Sequence, residues 1–384
     1  MVSPFLDYTP GLVVTDDHIE IHTSDRSLFK RCRRKWNWQS GMRENLIPLG
    51  ASVDALWLGS GWHFMMEDYW GYRKYPTVDD AIIGYRNAFK RHELPPNVRD
   101  LMDLWAGMAH YYTEDWLLYH PEPYKTLWVN GVPQVEVDVD IDITDKLSDY
   151  ASGKVPWLER TLRGRKVIYR MTFDRVVITP ENLIRIVDYK TARAIDTNKL
   201  SNDPQVGAYY WGGYDFYGDQ LDGIVWEQFF KGFPVDPEWL SSSQRFSMNK
   251  KQKTTYPLYR RALKEKYGTI PAMYHDVLAE FAAQQSDAGD SFIRRDILRR
   301  NPQSRESEER KILAEVLDML DPGLPLYPNP TRDCSWDCPF KDACLATDDG
   351  SDAEFILSSS FEHWKGYKQD WKPRIEFPDG TRYS

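Results

Sequence analysis

The chain is poor in the features that mark membrane, secreted and nucleotide-driven proteins. No stretch of its 384 residues approaches the roughly 18 uncharged apolar residues of a transmembrane helix, and residues 1–9 lack the basic and apolar regions of a signal peptide. The phosphate-binding motif GxxxxGK[ST] is absent from the sequence, which excludes a built-in motor of that class. Four cysteines are too few for a secreted disulfide scaffold. We therefore expect a soluble, cytoplasmic protein.

Positive charge is also in short supply. The chain has 49 Lys and Arg against 58 Asp and Glu, a net charge of -9, which argues against coating of duplex DNA through bulk electrostatics. Local basic clusters nevertheless occur at residues 30–35, 163–166 and 250–253. Each cluster is either a site of phosphate contact or an ordinary solvated surface.

Hydrophobic periodicity predicts an α/β protein. Helical spacing of apolar residues occurs at 24–39, 59–70, 78–92, 98–120, 204–217, 255–267, 271–285 and 304–319. Alternating or continuously apolar segments predict strands at 134–142, 166–178, 183–190, 222–230 and 292–297. Residues 231–253 read as a loop, and a proline-rich segment at 322–330 delivers three of the cysteines on extended chain.

Two acidic residues and a lysine lie on the hairpin predicted at residues 166–190. Asp188 and Lys190 are two apart on one strand, so their side chains share a face at a separation of about 6.6 Å along the strand. Asp174 lies on the neighbouring strand. Two carboxylates in a small space repel each other, and a divalent cation stabilises both in the ionised form. The alternative is an exposed charge pair. Asp188 follows a mostly apolar run, however, and burying a charge there is costly, which favours a functional role.

Asp174 followed by Asp188-Tyr189-Lys190 resembles the signature of the PD-(D/E)xK nuclease superfamily, and specifically its RecB-like branch. The resemblance implies a restriction-endonuclease-like core, a mixed central sheet flanked by helices, with helical additions and a C-terminal cysteine loop. It also implies catalytic Mg²⁺ or Mn²⁺. Lys190 then orients or deprotonates the attacking water, or neutralises charge growing on phosphorus.

Two further motifs of that branch have counterparts here. Residues 59–63, Gly-Ser-Gly-Trp-His, resemble its glycine-rich turn and helical histidine, which implies that His63 is a metal ligand. Gln205 and Tyr209 resemble its Gln-x-x-x-Tyr motif and lie on one helical face, which implies a role at the metal or the DNA. The resemblance further implies that Tyr189 coordinates the metal through its backbone carbonyl. Glu136, on the strand before the hairpin, either contributes to the metal site or faces solvent, and the alternation of its strand favours the solvent-facing position.

Cys32 near the start of the chain and Cys334, Cys338 and Cys344 near its end suggest a set of thiolate metal ligands. Spacing alone favours structural zinc, because zinc sites with four thiolate ligands are common. One cysteine before the nuclease motifs and three after them, however, resembles the iron-sulfur staple of the AddB nuclease domain and the CRISPR-associated protein four family. That resemblance implies a structural [4Fe-4S] cluster. The last three cysteines are separated by three and five residues, where the family usually shows two and five.

These features together predict one RecB-like nuclease domain over residues 1–347 and a tail at 348–384. Within the domain we expect a helical part (24–120), a catalytic sheet core (131–232), a helical insertion (233–320) and an iron-sulfur loop (327–347). The predicted function is that of a metal-dependent exonuclease acting on DNA ends, chiefly single-stranded, in replication, recombination or repair, with a replication or recombination protein as a possible partner and a bacteriophage as a possible origin. The alternatives are an endonuclease or CRISPR spacer-processing nuclease that works with partners, and a catalytically silent nucleic-acid-binding subunit.

Overall fold

A mixed β-sheet with helices on both faces forms the centre of the protein. The structure, a computed structural model, describes residues 18–49, 54–88, 98–153, 155–198, 200–335 and 338–363. The strands are β1 (His18–His22), β2 (Leu46–Pro48), β3 (Lys125–Thr126), β4 (Trp128–Val129), β5 (Val132–Pro133), β6 (Val135–Asp142), β7 (Lys166–Ile178), β8 (Ile184–Ala192), β9 (Leu221–Phe230), β10 (Trp239–Leu240), β11 (Arg245–Phe246), β12 (Ile293–Leu298) and β13 (Phe361–His363).

The long strand β7 organises the central sheet. Along one edge it pairs with β6 and β3, both antiparallel, and along the other with parallel β1 at its start and antiparallel β8 at its end. The sheet then continues through β9, parallel to β8, to the antiparallel edge strand β12. Because β7 has 13 residues, it can accommodate two neighbours in succession on each side. The predicted hairpin is confirmed, and it brings β7 and β8 into register with Arg175 opposite Val187.

Helices flank this sheet and extend the protein beyond it. They are α1 (Thr23–Arg31), α2 (Arg33–Gln39), α3 (Asp54–Glu67), α4 (Val78–Ala88), α5 (Val98–His110), α6 (Leu117–Tyr119), α7 (Thr144–Ala151), α8 (Trp157–Leu162), α9 (Pro204–Tyr217), α10 (Tyr256–Tyr267), α11 (His275–Ala283), α12 (Pro302–Leu320), α13 (Lys341–Asp349) and α14 (Ala353–Ser360). Wider π-helical turns continue α3 over Asp68–Tyr72 and α5 over Tyr111–Trp116. Across the described parts of the chain, the helices are too short or too polar to cross a bilayer.

Two apolar clusters hold the helices against the sheet. One includes Ile21, Tyr169, Ile186, Val206 and Ile312, and so joins α9 and α12 to one face of the sheet. The other cluster packs α3, α4 and α5 against the opposite face; its members include Trp57, Trp62, Tyr85, Trp105, Val187 and Phe229. The alternation of Ile186 and Val187 along β8 explains this division, because successive strand residues point to opposite faces.

The predicted helical insertion has a small core of its own. Tyr259, Leu263, Tyr274 and Phe281 are buried together between α10 and α11. The segment before α10, predicted as a loop, contains the short β10–β11 hairpin. An ion pair between Arg261 and Asp115 fastens α10 to the π-helical turn that follows α5. The part of the predicted insertion from β10 to α11 is therefore a folded unit anchored on the helices of the second apolar cluster. The rest of it belongs to the centre of the protein, because β12 is a strand of the main sheet and α12 packs in the first apolar cluster.

The prediction of one continuous helix at residues 24–39 is wrong in one respect, because the helix breaks at Cys32. Cys32 has extended backbone angles, φ -166° and ψ 118°, and ends α1. Its sulfur then accepts a hydrogen bond from the Lys35 backbone N–H at 3.4 Å and so caps α2. A cap residue lies outside the helical conformation while satisfying one of the free N–H groups at the helix start. Helical periodicity continues through such a break, so the pattern could not locate it.

The expectation of a glycine-rich turn at residues 59–63 is also wrong, because these residues lie inside α3. Gly61 is required there by packing: a Cβ at this position would lie 3.0 Å from the Tyr85 ring of α4. At Gly59 a Cβ would be 3.8 Å from the Thr191 hydroxyl of β8, an ordinary contact distance. Gly61 therefore lets α3 approach α4 closely, whereas a side chain at position 59 would fit beside β8.

Several elements were not predicted from the sequence, namely β1, α7, α8 and the structure after residue 352. In that last region α14 leads into β13, which pairs with β2. Phe361 of β13 stacks on Phe340 at 4.6 Å between ring centroids, and both lie in a small cluster with Trp38. The part of the predicted tail over residues 353–363 thus packs against the cysteine region. Residues 1–17 and 364–384 lie outside the described residues.

Candidate active site

Strands β6, β7 and β8 and helices α3 and α9 bring the candidate residues together at one end of the sheet. Asp174 comes from β7, Asp188 and Lys190 come from β8, and His63 comes from α3. Helix α9 begins at Pro204 and is capped by Asp203, whose carboxylate accepts the Gln205 N–H at 2.8 Å. This fixed start turns the first two turns of α9, which carry Gln205 and Tyr209, towards β8.

Three potential metal ligands converge at this end. His63, Glu136 and Asp174 offer ligand atoms that all lie within 4.8 Å of one another. The His63 Nδ1 atom is 3.1 Å from Glu136 Oε1 and 3.4 Å from Asp174 Oδ1. The second oxygen of Asp174 accepts the Tyr189 backbone N–H at 2.7 Å, which fixes the orientation of the carboxylate. Carboxylate oxygens and an imidazole nitrogen are a suitable donor set for Mg²⁺ or Mn²⁺.

The expectation that Glu136 faces solvent is wrong. Its backbone has φ of 50°, in the left-handed region, where a non-glycine residue is strained. Val135 and Val137 pair regularly with Arg175 and Phe173, but Glu136 between them departs from the pleat. Its side chain is only 8% exposed and lies against His63. Alternation describes a regular strand, so it could not report a local turn of this kind.

Asp188 is the most deeply buried of the candidate acids, with 0% exposure. Its Oδ1 atom accepts hydrogen bonds from Lys190 Nζ and Gln205 Nε2, both at 2.9 Å. Its Oδ2 atom is buried and has no hydrogen-bond partner among the described residues. A buried carboxylate oxygen without a donor is costly. A cation bound there would supply the missing partner, so the donor set fits a divalent metal.

Electrostatics agree with this description. Burial, together with Asp174, raises the pKa of Asp188 to about 7, although Lys190 opposes the shift. Burial alone would lower the pKa of His63, but Asp174 and Glu136 outweigh it and raise that pKa to about 10. The buried, clustered carboxylates therefore favour bound positive charge, here protons on Asp188 and His63, and a metal ion would displace those protons on binding.

Lys190 and Tyr209 complete the group. Burial would lower the pKa of Lys190, but Asp188 and Asp174 overcome it and raise the pKa above its usual value, so the ammonium keeps its proton. The Lys190 Nζ lies 5.2 Å from the centre of the Trp226 ring. Gln205 Nε2 lies 2.9 Å from the Tyr209 hydroxyl as well as from Asp188. The structure thus brings His63, Asp174, Asp188, Lys190, Gln205 and Tyr209 into one connected site.

A sequence model of the PD-(D/E)XK nuclease superfamily matches residues 23–216, half of the chain. The chain belongs to that superfamily. The matched region runs from α1 to α9 and so includes every residue of the site just described. No curated protein matches the chain.

Membership in the PD-(D/E)XK superfamily makes this a nuclease fold with nucleic acid as its substrate. The mixed sheet with flanking helices is accordingly a restriction-endonuclease-like α/β fold, as predicted. Nucleases of this superfamily use divalent metals, and His63, Glu136 and Asp174 are close enough to hold one. The matched region ends before the three C-terminal cysteines, so the family match carries no information on them.

The four cysteines of this PD-(D/E)XK chain lie in one region, between α2, the loop before α13 and α13 itself. Burial raises the pKa of the Cys338 thiol, and Cys334 and Cys32 are near enough to raise it further. Cys338 and Cys344 also pack on the small cluster of Trp38 and Phe340. The N-terminal and C-terminal parts of the chain therefore meet at the thiols.

Several N–H groups donate hydrogen bonds to these sulfurs. The backbone N–H groups of Lys35 and Asn329 lie 3.4 Å from the Cys32 sulfur, and that of Thr331 lies 3.4 Å from the Cys334 sulfur. The Arg34 guanidinium donates to the Cys344 sulfur at 3.2 Å. Donors of this kind stabilise negative charge on sulfur, and hydrogen bonds to ligand sulfurs are typical of iron-sulfur sites.

Proposed function

We propose that this protein is a metal-dependent exonuclease that hydrolyses phosphodiester bonds at DNA ends, with single strands as its main substrate. The proposal assigns catalysis to Asp174, Asp188 and Lys190, metal binding to His63, Glu136, Asp174, Asp188 and the Tyr189 carbonyl, and support to Gln205 and Tyr209. One observation carries it: the unpartnered Asp188 Oδ2 belongs to a buried carboxylate that interacts with Asp174 and His63, two of the three potential metal ligands that converge at this end of the sheet. Most buried polar atoms in proteins have a hydrogen-bond partner, so an unpartnered carboxylate oxygen beside other potential ligands supports a bound cation.

The residues of the candidate active site have separate roles in the proposed reaction. These ligands would hold a Mg²⁺ or Mn²⁺ ion, which would supply acidification of a water and neutralisation of phosphate charge. The Tyr189 N–H and the Gln205 amide orient the two aspartates through bonds of 2.7 and 2.9 Å. Lys190, protonated and beside Asp188, stabilises the charge that grows on the phosphoryl oxygens.

The first experiment compares end-labelled linear and circular single-stranded DNA in Mg²⁺, in Mn²⁺ and in chelator. Wild type should degrade only the linear strand, only with metal, and the label should report the polarity of cutting. Asp188→Ala and Lys190→Ala should abolish cutting while the fold is retained. Asp138→Asn, an exposed carboxylate on β6, serves as the matched control. Cutting of circles would instead support an endonuclease or a spacer-processing nuclease, and no cutting under any condition would support a binding subunit.

We infer in addition that Cys32, Cys334, Cys338 and Cys344 hold a [4Fe-4S] cluster that staples the domain together. Cys338 lies near Cys334 and Cys32, and N–H groups donate to the sulfurs of Cys32, Cys334 and Cys344, which supports a shared site of thiolate ligands. The choice of a cluster over a structural zinc ion rests on the resemblance in cysteine order, one before the nuclease motifs and three after them. Ligation across some 300 residues offsets a large loop-closure entropy, so the cluster's role is structural.

The cluster is tested by metal analysis of protein purified without oxygen. Four iron and four sulfide per chain, with a brown chromophore, are expected, whereas one zinc ion and a colourless protein would overturn the assignment. Cys338→Ala should lose the iron and melt at a much lower temperature. A soluble and fully active Cys338→Ala variant would contradict the structural role.

The domain organisation and pathway remain part of the same proposal. We assign the described chain up to residue 363 to one nuclease domain, beyond the predicted boundary at 347 because β13 pairs with β2, and regard replication, recombination or repair of DNA as its setting. A replication or recombination protein that presents DNA ends is the proposed partner, and a bacteriophage is the proposed origin.

A further inference from the structure

The start of the insertion concentrates positive charge in a protein that is otherwise acidic. Residues 231–267, hereafter the basic segment, contain nine Lys and Arg against three Asp and Glu. The segment therefore has a net charge of +6 in a chain whose total is -9. Local charge of this kind attracts anions despite an opposite total, because screening by salt limits each charge to a range of about 10 Å.

Much of this charge is not neutralised within the protein. Lys250 pairs with Glu280, and Arg261 pairs with Asp115. By contrast, four lysines of the basic segment are exposed and have no carboxylate of the described residues within 4 Å: Lys251, Lys253, Lys264 and Lys266. Aromatic rings support two of them, since Lys253 Nζ lies 5.6 Å from the centre of Phe233 and Lys266 Nζ lies 4.6 Å from that of Trp239. These cations are thus positioned by the fold while their charge stays available.

The basic segment begins at the end of the sheet that carries the candidate active site. The backbone N–H of Lys231 donates to the carbonyl of Ala192 at 2.7 Å, and Ala192 lies only two residues beyond Lys190. Lys253 returns to the same place, because its carbonyl accepts the Val235 N–H at 2.7 Å. Lys231 and Lys253 therefore both lie near the carboxyl ends of β8 and β9.

Two cations of this region also lie close to each other. Burial lowers the pKa of Lys231, and the neighbouring Arg193, which follows β8, lowers it further. No carboxylate of the described chain lies within 4 Å of either side chain to offset the repulsion. Like charges brought together beside an active site favour an anionic ligand, and phosphate is the anion that the proposed reaction supplies.

We propose that Arg193, Lys231, Lys251 and Lys253 form a phosphate track that holds the backbone of the nucleic acid strand next to Asp188 and Lys190. The inference rests on the proposed nuclease function and specifies which surface carries the uncut part of the strand. Contacts to phosphate read no bases, so the track binds strands of any sequence. It also explains how an acidic protein can retain a polyanion.

Salt dependence of binding tests the track directly. A fluorescent single-stranded oligonucleotide is titrated with the chelated protein, so that nothing is cut, over a range of salt concentrations. Each phosphate contact contributes a slope of about -0.7 in log K against log salt for a single strand, so Lys251→Gln/Lys253→Gln should reduce the slope by roughly 1.4. The control Arg160→Gln removes an exposed cation from α8 and should leave the slope unchanged. An unaltered slope in the double variant would overturn the proposal.

Kinetics separate this role from a merely structural one. In the double variant the KM for a long strand should rise about tenfold, while kcat at saturation is retained. Turnover of bis(p-nitrophenyl) phosphate, which is too short to reach the lysines, should not change. A lower melting temperature with equal losses on both substrates would indicate a folding defect and count against the track. Absence of cutting by wild type would refute the proposed function instead, whereas wild-type cutting with unaffected variants would refute only the track.

Discussion

Two groups of buried charges lie on opposite sides of helix α9, and they differ in how well they are satisfied. On one side Arg26, 1% exposed, bonds to Glu315 at 2.6 Å, Glu308 at 3.0 Å and the Tyr169 hydroxyl at 3.2 Å. Gly207 of α9 faces this group, since a Cβ there would meet the Glu308 carboxylate at 2.8 Å. On the other side lies the candidate active site around Asp188.

The difference shows in the pKa values. Although burial works against the charge, Tyr169 and Glu315 raise the pKa of Arg26, so the ion is more stable in the fold than in water. Burial raises the pKa of Asp188 to about 7, so its charged form is less stable there, and one of its oxygens has no partner among the described residues. Complete pairing fits a structural role for the Arg26 group, whereas the unfilled partner at Asp188, close to His63 and Asp174, fits a ligand site.

The largest effect is expected on stability at the paired group. Arg26→Ala leaves Glu308 and Glu315 buried without their main partner, which should cost about 3 to 5 kcal/mol of unfolding free energy. Chemical denaturation of the chelated protein measures the loss. Lys30→Ala is the matched control: it removes a partly exposed cation 3.4 Å from the same Glu315 and should cost less than about 1 kcal/mol. Equal losses of unfolding free energy in the two variants would show that the buried Arg26 contributes no more to stability than the partly exposed Lys30.

At the unsatisfied group the same kind of change should affect catalysis instead. Glu136→Gln removes a proposed ligand charge and should reduce cutting at least about 100-fold while weakening Mn²⁺ binding. Isothermal titration with Mn²⁺ and single-turnover digestion measure the two effects. Asp138→Asn, two residues further along β6 and exposed, should alter neither. Full activity in Glu136→Gln would show that Glu136 is not a metal ligand.

The sequence was sufficient to expect Asp174, Asp188 and Lys190 close together on the hairpin, but it favoured the wrong position for Glu136. Asp174, Asp188 and Lys190 lie on long, regular strands, where alternation and register follow from the residues alone. Alternation favoured a solvent-facing Glu136, because a left-handed residue interrupts the pleat there and no composition signal precedes it. Asn, Asp or Gly would have suggested such a conformation; glutamate does not.

Long-range pairing explains the other failures. Strand β1 is only five residues long, and its partner on β7 lies almost 150 residues further along the chain. Its Glu20, which would suggest a solvated strand, is buried because Arg170 pairs with it at 2.7 Å. Such partners are fixed by the tertiary fold, whereas local patterns describe only neighbours in sequence. The same holds for β13, which pairs with β2 across the cysteine region.

A pH-dependent stability difference should distinguish the two groups further. The native pKa of Asp188 lies above its ordinary value of 3.8, so the native state binds more protons than the unfolded state between about pH 4 and 7. Stability of the chelated wild type should therefore fall as pH rises through this window. Asp188→Asn lacks that charge, so at pH 8 its free energy of unfolding should exceed that of the wild type by on the order of 2 kcal/mol.

Melting temperatures at pH 5 and pH 8, with chelator and with Mn²⁺, provide the measurement. Mn²⁺ should restore wild type at pH 8 by binding the native state, and it should have little effect on Asp188→Asn. A variant that is less stable than wild type at pH 8 in chelator would mean that Asp188 is as well satisfied as Arg26.

The smallest effect is expected from Gln205, which links the site to α9. Gln205→Ala removes the amide that donates to Asp188 Oδ1 at 2.9 Å, so the carboxylate loses a bond that favours its charged form. Cutting should slow about tenfold, and the acidic limb of the pH-rate profile should move to higher pH. Tyr209→Phe is the matched control, because it removes the other partner of the Gln205 amide without touching Asp188. If both variants slow cutting equally and leave the pH profile in place, Gln205 serves the packing of α9 and not the charge of Asp188.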